Sequence, residues 1–353
     1  MRFTRSLRLA CCILVLFLSA CSATVSQKLP GDATATKSPP TATATQKPLL
    51  PGQRIWKDGA SSFLFGTNDT QEWSENNIQT SQSIQKALKE AHFTLLRTFF
   101  FDKSEADDHH PITDDEIEQR LKTVENTGMS CLGVLFNVFN VEFMKHVVQL
   151  AGSRCLLYEF GNEPDFMKIP IKDYLKQWNT VIPMLRQINP QAKFIGPVTY
   201  THEDTEYIQG FLDGVKESGV MPDAISFHLY PCWEDSREGC LAKATDYYNA
   251  ALSVRKMVRD TLGKELPIGV TEWNYDPANP PPPYGDEPEF IKAYTKTALY
   301  SLFKAGVAFA NQFDAASYSG YGRLDMFDVD TNQPKPQYDA MKEMIAEYRI
   351  PES

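Results

Sequence analysis

Eight apolar segments that suit β-strands alternate with segments that suit amphipathic helices, and this alternation constrains the fold more than any other feature. The predicted strands span residues 62–66, 95–101, 131–138, 155–162, 194–197, 224–230, 268–273 and 307–313. Strands that alternate with helices form parallel sheets. Eight such units are the number that closes a barrel, commonly as one domain of about 250 residues or more. We therefore predict the α/β class, with a single (β/α)8 TIM barrel.

The predicted helices have recognisable ends. Thr113 and Glu116 have the spacing of a capping box, and Gly128 suits the residue that ends the same helix. The other predicted helices span residues 81–91, 142–150, 171–188, 206–218, 244–262, 288–304 and 337–348. A doubly wound open sheet is the alternative fold, but no glycine-rich phosphate-binding loop follows the first strand.

The amino-terminal segment has the composition of an export signal. Arg2, Arg5 and Arg8 precede an almost wholly apolar run over residues 9–20, which is shorter than the ~20 residues a membrane span needs. Residues 18–21 resemble a bacterial lipobox, in which the cysteine, here Cys21, is acylated and becomes the new amino terminus. We expect residues 1–20 to be a signal peptide and Cys21 to anchor the protein to the outer side of a bacterial membrane. A plain secretory signal is the alternative.

Residues 21–50 are rich in alanine, threonine, serine, lysine and proline, and cannot build an apolar core. We interpret this segment as a disordered tether and residues 51–353 as the folded domain. The formal net charge of −10 disfavours nucleic acids and polyanionic substrates as partners. We expect a monomer that binds no nucleic acid.

Four cysteines follow Cys21 in a chain that we expect to reach an oxidising compartment, where disulfides form. Cys232 and Cys240 bracket a short polar loop. Cys131 and Cys155 each begin a predicted strand, and neighbouring strand starts would bring them together. Buried free thiols are the alternative for each pair.

Two glutamates end predicted strands. Glu163 lies in the segment Tyr-Glu-Phe-Gly-Asn-Glu-Pro, residues 158–164, whose final proline cannot continue a strand. Glu272 ends strand seven, where simple alternation predicts that Ile268, Val270 and Glu272 all face the barrel interior. The carboxyl ends of barrel strands form the reactive face. Two carboxyl groups there suit glycosidic cleavage, in which one protonates the leaving oxygen and the other attacks or stabilises the oxocarbenium-like centre.

These motifs resemble clan A of the retaining glycoside hydrolases on (β/α)8 barrels, which has Asn-Glu-Pro at the end of strand four and a glutamate at the end of strand seven. The resemblance covers roughly residues 63–349. It implies that Glu163 is the acid/base, that Glu272 is the nucleophile and that Asn162 binds the sugar 2-hydroxyl. Alternation sends Asn162 and Glu163 to opposite faces, so we predict a bulge at the end of strand four. The same motif, with Gly196 and Pro197, is most similar to the β-xylosidase and iduronidase branch.

Three further polar residues lie on inward positions of predicted strands. Arg97 interrupts the apolar run of strand two, while His228 and Tyr230 share one face of strand six. The resemblance implies that Arg97 and Tyr230 contact the nucleophile and that His228 supports the site; a core histidine without a role is the alternative. We interpret Glu159 as a deeper, structural carboxylate paired with Arg97. For the acid to be protonated near the working pH, the environment of Glu163 must raise its pKa.

Several aromatic residues are candidates for stacking on a sugar ring. Many clan members end strand eight with a tryptophan, whereas residues 311–314 here read Asn-Gln-Phe-Asp. The candidates for the floor of the sugar site are therefore Tyr318, Tyr321 and Trp273. Trp233 follows strand six, and a proline-rich loop with Tyr284 follows strand seven; both loops are expected to border the pocket, the second as a stacking wall or a simple spacer.

We predict a retaining O-glycosyl hydrolase of oligo- or polysaccharides that uses no metal or other cofactor. The first alternative is a surface lipoprotein that binds glycans on the same barrel without cleaving them. The second is a metal-dependent barrel hydrolase. His109 and His110 are adjacent, but they lie in an acidic loop and no helical His-x-x-x-His spacing accompanies them.

Overall fold

The computed structural model describes residues 49–69, 77–103, 111–233, 235–278, 281–316 and 322–351. The predicted signal peptide, Cys21 and the tether up to residue 48 lie outside these described residues, as do His109, His110, Tyr318 and Tyr321. In the part of the chain that the structure describes, no helix is both long enough and apolar enough to cross a membrane.

Eight parallel strands form the barrel. They are β1 (Gly66–Asn68), β2 (Leu95–Phe100), β3 (Ser130–Leu135), β4 (Leu157–Phe160), β5 (Lys193–Ile195), β6 (Ile225–Leu229), β7 (Ile268–Trp273) and β8 (Phe309–Gln312). Their order is β5-β4-β3-β2-β1-β8-β7-β6, and the hydrogen-bonded neighbours are parallel. Parallel bridges from Ile195 to Ala224 and from Thr199 to Phe227 connect β5 with β6 and complete the barrel. The predicted TIM barrel is confirmed.

The helices surround the barrel. They are α1 (Gln82–Glu90), α2 (Asp114–Thr127), α3 (Val141–Ala151), α4 (Ile171–Ile188), α5 (Thr205–Ser218), α6 (Arg237–Lys243), α7 (Asp246–Leu262), α8 (Pro288–Lys304) and α9 (Pro336–Tyr348). The predicted capping box of Thr113 and Glu116 is present, and Gly128 ends α2 with a φ of +70°. The sequence did not predict α6, because seven residues are too few to show a helical period.

The first strand begins later than its apolar run suggests. Ser62–Leu64 forms a single 3-10 turn, and β1 starts at Gly66. A Cβ atom on Gly66 would lie 2.7 Å from the carbonyl oxygen of Ala310 and 2.9 Å from that of Leu95. Only glycine therefore allows β1 to fit between β2 and β8 at this point.

The barrel interior has an apolar layer below and a polar layer above. The apolar layer, at the amino ends of the strands, is built from Leu50, Phe63, Leu95, Leu132, Leu157, Ile195, Ala224 and Phe309. Two residues further along β2, β4 and β6, the inward positions hold Arg97, Glu159 and Ser226, all fully buried. The apolar layer closes the bottom of the barrel, so the polar groups meet at its carboxyl end.

Both predicted cysteine pairs form disulfides. Cys131–Cys155 joins the start of β3 to the segment before β4, with a Cα–Cα distance of 4.9 Å. Cys232–Cys240 joins the end of the β6 loop to α6, with a Cα–Cα distance of 5.1 Å. Such bonds typically stabilise a fold by about 2–4 kcal/mol, mainly by restricting the unfolded chain.

Candidate active site

Strand β7 positions Glu272 through a bulge. Ile268 and Val270 pack in the outer apolar layer with the helices, so simple alternation would turn Glu272 outward as well. The register of β7 against β6, however, passes from Val270 to Glu272 across two consecutive residues of β6. Thr271 is the extra residue, and the bulge turns Glu272 into the barrel mouth. The prediction that Ile268 and Val270 face the interior is wrong, because alternation does not hold across a bulge.

A turn after strand β4 brings Glu163 to the same mouth. Its register with β3 and β5 is regular, so the predicted bulge in β4 is absent. The strand ends at Phe160, and Gly161 follows with a φ of +83°; Glu163 has a φ of +45°. The backbone N–H of Glu163 donates to the carbonyl of Val198 at 2.9 Å, which holds the turn against the end of β5. A left-handed non-glycine residue costs about 1–3 kcal/mol, and such strain concentrates at functional sites.

Arg97 lies at the centre of the site and is completely buried. Its Nε donates to Glu159 Oε2 at 2.6 Å, and its Nη1 donates to Glu272 Oε1 at 2.6 Å and to Asn68 Oδ1 at 3.0 Å. Its Nη2 donates to Asn162 Oδ1 at 2.7 Å. Burial lowers the pKa of Arg97, but the charges of Glu159 and Glu272 outweigh it and leave the pKa above its ordinary value. The guanidinium therefore fixes the positions of Glu272 after the bulge in β7 and of Asn162 after β4.

Glu159 has the structural position that the sequence predicted. It is fully buried, pairs with Arg97 and accepts a second hydrogen bond from Ser226 Oγ at 2.6 Å. Its carboxylate is thereby compensated by a charge and by a hydroxyl donor. Two residues of this network, Ser226 and Asn68, were not expected. The sequence offered one signal for each of them. Ser226 has an inward position on β6, and Asn68 is a polar residue at the end of β1.

Glu163 and His228 form a short contact of 2.6 Å between Oε1 and Nδ1. The other ring nitrogen, Nε2, lies 3.4 Å from Nη2 of Arg97. A guanidinium can only donate, so Nε2 accepts and the ring proton sits on Nδ1, which donates to Glu163. Burial raises the pKa of Glu163 to about 7, although the charge of Arg97 acts in the opposite direction. Burial lowers the pKa of His228 to about 4, so the imidazole is neutral at the pH where Glu163 titrates.

Glu272 receives two strong donors on separate oxygens. Arg97 binds Oε1, and the Tyr230 hydroxyl donates to Oε2 at 2.9 Å. Burial and the negative charge of Glu272 raise the pKa of Tyr230 well above its ordinary value, so the phenol keeps its proton. One carboxylate oxygen each of Glu163 and Glu272 and one ring nitrogen of His228 lie within 4.8 Å of one another. The two donors hold the Glu272 carboxylate from both of its oxygens.

The cluster of Glu163, His228 and Glu272 also has the spacing of a metal site. Its chemistry favours protons over a cation. His228 Nδ1 carries a proton that it donates to Glu163, and the positive charge of Arg97 lies 2.6 Å from Glu272. A metal ion there would displace that proton and repel the guanidinium.

The predicted aromatic floor residues do not all reach the mouth. Trp273 is fully buried, and its ring packs edge-on against Tyr247 of α7 at 6.1 Å. Its prediction as a sugar-binding residue is wrong, because it directly follows Glu272 in the strand and therefore faces the surrounding helices instead of the mouth. Phe313, directly after β8, is partly exposed and packs edge-on against Tyr230 at 6.1 Å. This phenylalanine is therefore an aromatic residue beside Tyr230 at the end of β8.

The two long loops differ in what they expose. Trp233, in the loop after β6, has 48% of its surface exposed at the rim. Tyr284, in the proline-rich loop, is buried against Phe290 and donates its hydroxyl to the carbonyl of Asp235 at 3.0 Å. The stacking wall predicted for this loop is therefore wrong for Tyr284, which supports the neighbouring loop instead.

The fold and the site together define the class of this protein as a (β/α)8 glycoside hydrolase. Its two carboxyl groups converge at the carboxyl end of the barrel around a buried arginine. The family model described as glycosyl hydrolases family 39 matches residues 153–347, which is more than half of the chain and includes Glu163 and Glu272. The chain belongs to glycosyl hydrolase family 39.

Solved structures share the fold at low sequence identity. A glucosidase from Croceicoccus marinus is 16% identical with a TM-score of 0.60, over 73% of this chain and 61% of that chain. An α-L-arabinofuranosidase from Thermotoga maritima is 13% identical with a TM-score of 0.56, over 82% of this chain and 66% of that chain. An exo-β-1,4-mannosidase from Opitutaceae bacterium strain TAV5 is 12% identical with a TM-score of 0.59, over 84% of this chain and 61% of that chain.

The present chain thus spans less than two thirds of the length of these three proteins. The comparison supports the barrel architecture. No curated protein sequence matches this chain.

Proposed function

We propose that this protein is a retaining glycosidase that cleaves O-glycosidic bonds in oligo- or polysaccharides by double displacement. The observation that carries the proposal is the approach of Glu163 and Glu272, with one oxygen of each within 4.8 Å. Retaining enzymes have carboxyl groups about 5–5.5 Å apart, whereas inverting enzymes leave about 6.5–9.5 Å for a water molecule. The gap here accommodates direct attack by a carboxylate.

In the first step, Glu272 attacks the anomeric carbon while Glu163 transfers its proton to the leaving oxygen. The bond between the anomeric carbon and that oxygen breaks, and a glycosyl ester forms on Glu272. In the second step, the Glu163 carboxylate takes a proton from water. The resulting oxygen attacks the anomeric carbon and the ester bond breaks, which restores both groups. Two inversions give net retention.

The hydrogen bonds around the two glutamates suit these roles. Oε1 of Glu163 accepts from His228, so the acidic proton sits on Oε2. Glu272 is oriented by Arg97 and Tyr230, both of which stabilise its negative charge before attack. Asn162 is held by Arg97 at the mouth, where its amide N–H groups are available to a sugar hydroxyl.

The proposal is tested with a panel of 4-nitrophenyl glycosides and with proton NMR of the first sugar released. We expect turnover of at least one glycoside and a product with the anomeric configuration of the substrate. Turnover with the opposite configuration would refute double displacement. Binding of a glycan without turnover of any glycoside or oligosaccharide would support the non-catalytic alternative instead.

The rate should decrease on the basic side of the pH profile at about pH 7. The acid must carry its proton in the first step, and burial raises the pKa of Glu163 to about 7.

The same pKa shift of Glu163 affects the stability of the fold. The folded state holds the Glu163 proton more tightly than the unfolded chain does. Protonation of Glu163 therefore contributes fully to the free energy of unfolding below the ordinary pKa of a glutamate. This contribution is lost as the pH rises through about 7.

The Glu163→Gln variant checks both consequences. It should lose the basic limb of the pH profile and should gain stability relative to the wild-type protein at pH 8 but not at pH 4, measured by urea unfolding. An unchanged basic limb in this variant would assign the acid to another residue.

We also propose that the mature protein is lipid-anchored through Cys21. Support comes from the arginine-rich start, the apolar run and the lipobox-like residues 18–21. Cells that express the wild-type chain and are fed labelled palmitate should yield a labelled protein, and the Cys21→Ser variant should remain unlabelled. Cys12→Ser, a second cysteine of the same segment, is the matched control and should keep the label. Equal labelling of the Cys21→Ser variant would refute the anchor.

A further inference from the structure

A cavity of about 460 Å³ lies at the rim of the barrel between the β5 and β6 loops and the start of α7. We call it the rim cavity, and the catalytic steps above do not use it. Tyr200, His202, Glu203, Tyr230, Trp233 and Asp246 are among its lining residues. Its volume is within the range of small-molecule binding sites, about 300–1,000 Å³. Tyr230 belongs to both places, since it lines the cavity and donates to Glu272.

We propose that the rim cavity binds the leaving-group part of a neutral oligo- or polysaccharide, an inference that depends on the proposed glycosidase function. A substrate in this position would extend from the catalytic centre over the loops of β4, β5 and β6. The protein would then act preferentially on saccharide chains, because a single aryl leaving group covers only the part of this path nearest Glu163.

The position of the acid determines which side of the mouth receives the leaving group. Glu163 transfers its proton to the leaving oxygen, so the leaving group lies on the side of Glu163. The end of β5 is the nearest neighbour on that side, because Val198 accepts from the Glu163 backbone at 2.9 Å. Two residues later, the backbone N–H of Tyr200 donates to the Asp165 carboxylate at 2.9 Å. Tyr200 is thus held at the point where the rim cavity begins.

Two aromatic surfaces border this path. Tyr200 stacks on Phe166 with a ring-centre distance of 5.0 Å, and Phe166 is 64% exposed. Trp233, 48% exposed, lines the cavity. Exposed aromatic rings offer flat apolar faces to the C–H surfaces of sugars. Large aromatic groups left in water beside a catalytic centre are most simply explained by a ligand that covers them.

Several described residues hold Trp233 in place. Cys232, directly before it, is bonded to Cys240. The Asp235 carboxylate accepts from the Trp233 backbone at 3.1 Å and pairs with Lys243 at 2.8 Å. Contacts that already hold Trp233 reduce the conformational entropy lost when a ligand binds, so more of the stacking free energy is retained as affinity.

The polar groups of the rim cavity select for uncharged sugars. His202 Nδ1 is buried and has no hydrogen-bond partner among the described residues, and burial lowers the pKa of this histidine. His202 is therefore an uncharged polar group in the lining of the cavity. Glu203 and Asp246 add two carboxylates, while the charge of Lys243 is balanced by Asp235. A uronate or sulfated chain would be repelled here.

The test compares substrates that differ only in the leaving group. Xylohexaose, cellohexaose and mannohexaose carry a saccharide leaving group, and the corresponding 4-nitrophenyl monosaccharides do not. For Trp233→Ala and Tyr200→Ala, we expect kcat/KM on the hexasaccharide that the wild type cleaves to fall about tenfold, the size of a lost aromatic contact. On the matching 4-nitrophenyl glycoside, kcat/KM should stay within about twofold of wild type. Tyr300→Ala removes a similarly exposed ring, 47%, from the outer face of α8 and should change neither value.

Several outcomes would overturn the proposal. An unchanged kcat/KM on the hexasaccharide, or an equal loss on both kinds of substrate, would show that the rings do not bind the leaving group. If the wild type cleaves the aryl glycosides but none of the hexasaccharides, the rim cavity proposal fails and the glycosidase function stands. If it cleaves neither kind, both fail.

The charge preference is tested separately by titration calorimetry on the Glu272→Ala protein. We expect this protein to bind at least one of the three neutral hexasaccharides and to bind hexagalacturonate at least tenfold more weakly, roughly the effect of one like-charge contact. The Glu203→Gln and Asp246→Asn double variant should reduce this difference. Equal or tighter binding of hexagalacturonate to the protein that retains both carboxylates would refute the neutral substrate.

Discussion

Replacing Glu272 with glycine should reduce kcat on the order of 10⁶-fold, which is the size of the loss when the nucleophile of a serine protease is removed. The expectation follows from the geometry of the mouth. Glu272 is the carboxylate that Arg97 and Tyr230 hold from both oxygens. Glu163 accepts from a neutral histidine and has a pKa of about 7, which suits an acid rather than a nucleophile. No other group would then form the glycosyl ester.

The same variant permits a positive measurement. A glycosyl fluoride with the anomeric configuration opposite to the substrate imitates the missing ester, and it fits the space that the deleted side chain leaves. We expect Glu272→Gly to transfer this sugar to an acceptor and to accumulate oligosaccharides, because the product cannot be hydrolysed. Glu287→Ala, which removes a half-exposed carboxylate at the start of α8, is the control and should keep the wild-type rate. Hydrolysis by Glu272→Gly at the wild-type rate would assign the nucleophile to another residue.

Replacing Arg97 with methionine should lower the free energy of unfolding by about 3–5 kcal/mol, the range measured when one partner of a buried ion pair is removed. Arg97 and Glu159 are both fully buried, 2.6 Å apart. Without the guanidinium, the Ser226 hydroxyl is the one hydrogen-bond donor that Glu159 keeps among the described residues. The Arg97→Met protein should also lose activity, because Asn162 and Glu272 lose the donor that aligns them.

A second change separates the loss of charge compensation from the loss of packing. The double variant Arg97→Met with Glu159→Gln removes the fully buried Glu159 carboxylate together with its guanidinium partner, so part of the stability should return while activity stays low. Arg154→Met is the control. It breaks a surface pair with Glu118 whose side chains are 31% and 43% exposed, and such pairs contribute about 0–1 kcal/mol. Urea unfolding at pH 7 measures all three proteins. A loss below about 1 kcal/mol for Arg97→Met would contradict the central role of the guanidinium.

The proposed leaving-group site changes how the substrate question should be approached. The barrel and the glutamate pair are compatible with many sugars, and the branch-level resemblance to β-xylosidases and iduronidases does not choose among them. The acidic rim cavity does discriminate on the leaving-group side, because it disfavours negatively charged chains there. Screening should therefore begin with neutral chains of several residues.

The sequence predicted the residues of the site better than their orientation. Glu163, Glu272, Arg97, His228 and Tyr230 meet at one mouth, as the two strand-end glutamates and the inward positions of the other three suggested. The orientation arguments failed in β4 and β7. Alternation is a property of a regular strand, and a bulge or a left-handed residue breaks it without a strong local signal. Of the candidates for the sugar floor, Trp273 is buried because it directly follows the inward-facing Glu272, and Tyr318 and Tyr321 lie outside the described residues.

By itself, the sequence determined the barrel, because the hydrophobic period and the turn residues of each βα unit are local properties that eight units repeat. It also determined which residues carry the chemistry, because only a few polar side chains interrupt apolar strands at their carboxyl ends. Only the tertiary structure decided how those side chains converge. The bulge at Thr271 depends on the register with β6 and β8, and the role of Arg97 depends on partners 62 to 175 residues away. Such contacts form only when distant segments pack together, so no local pattern records them.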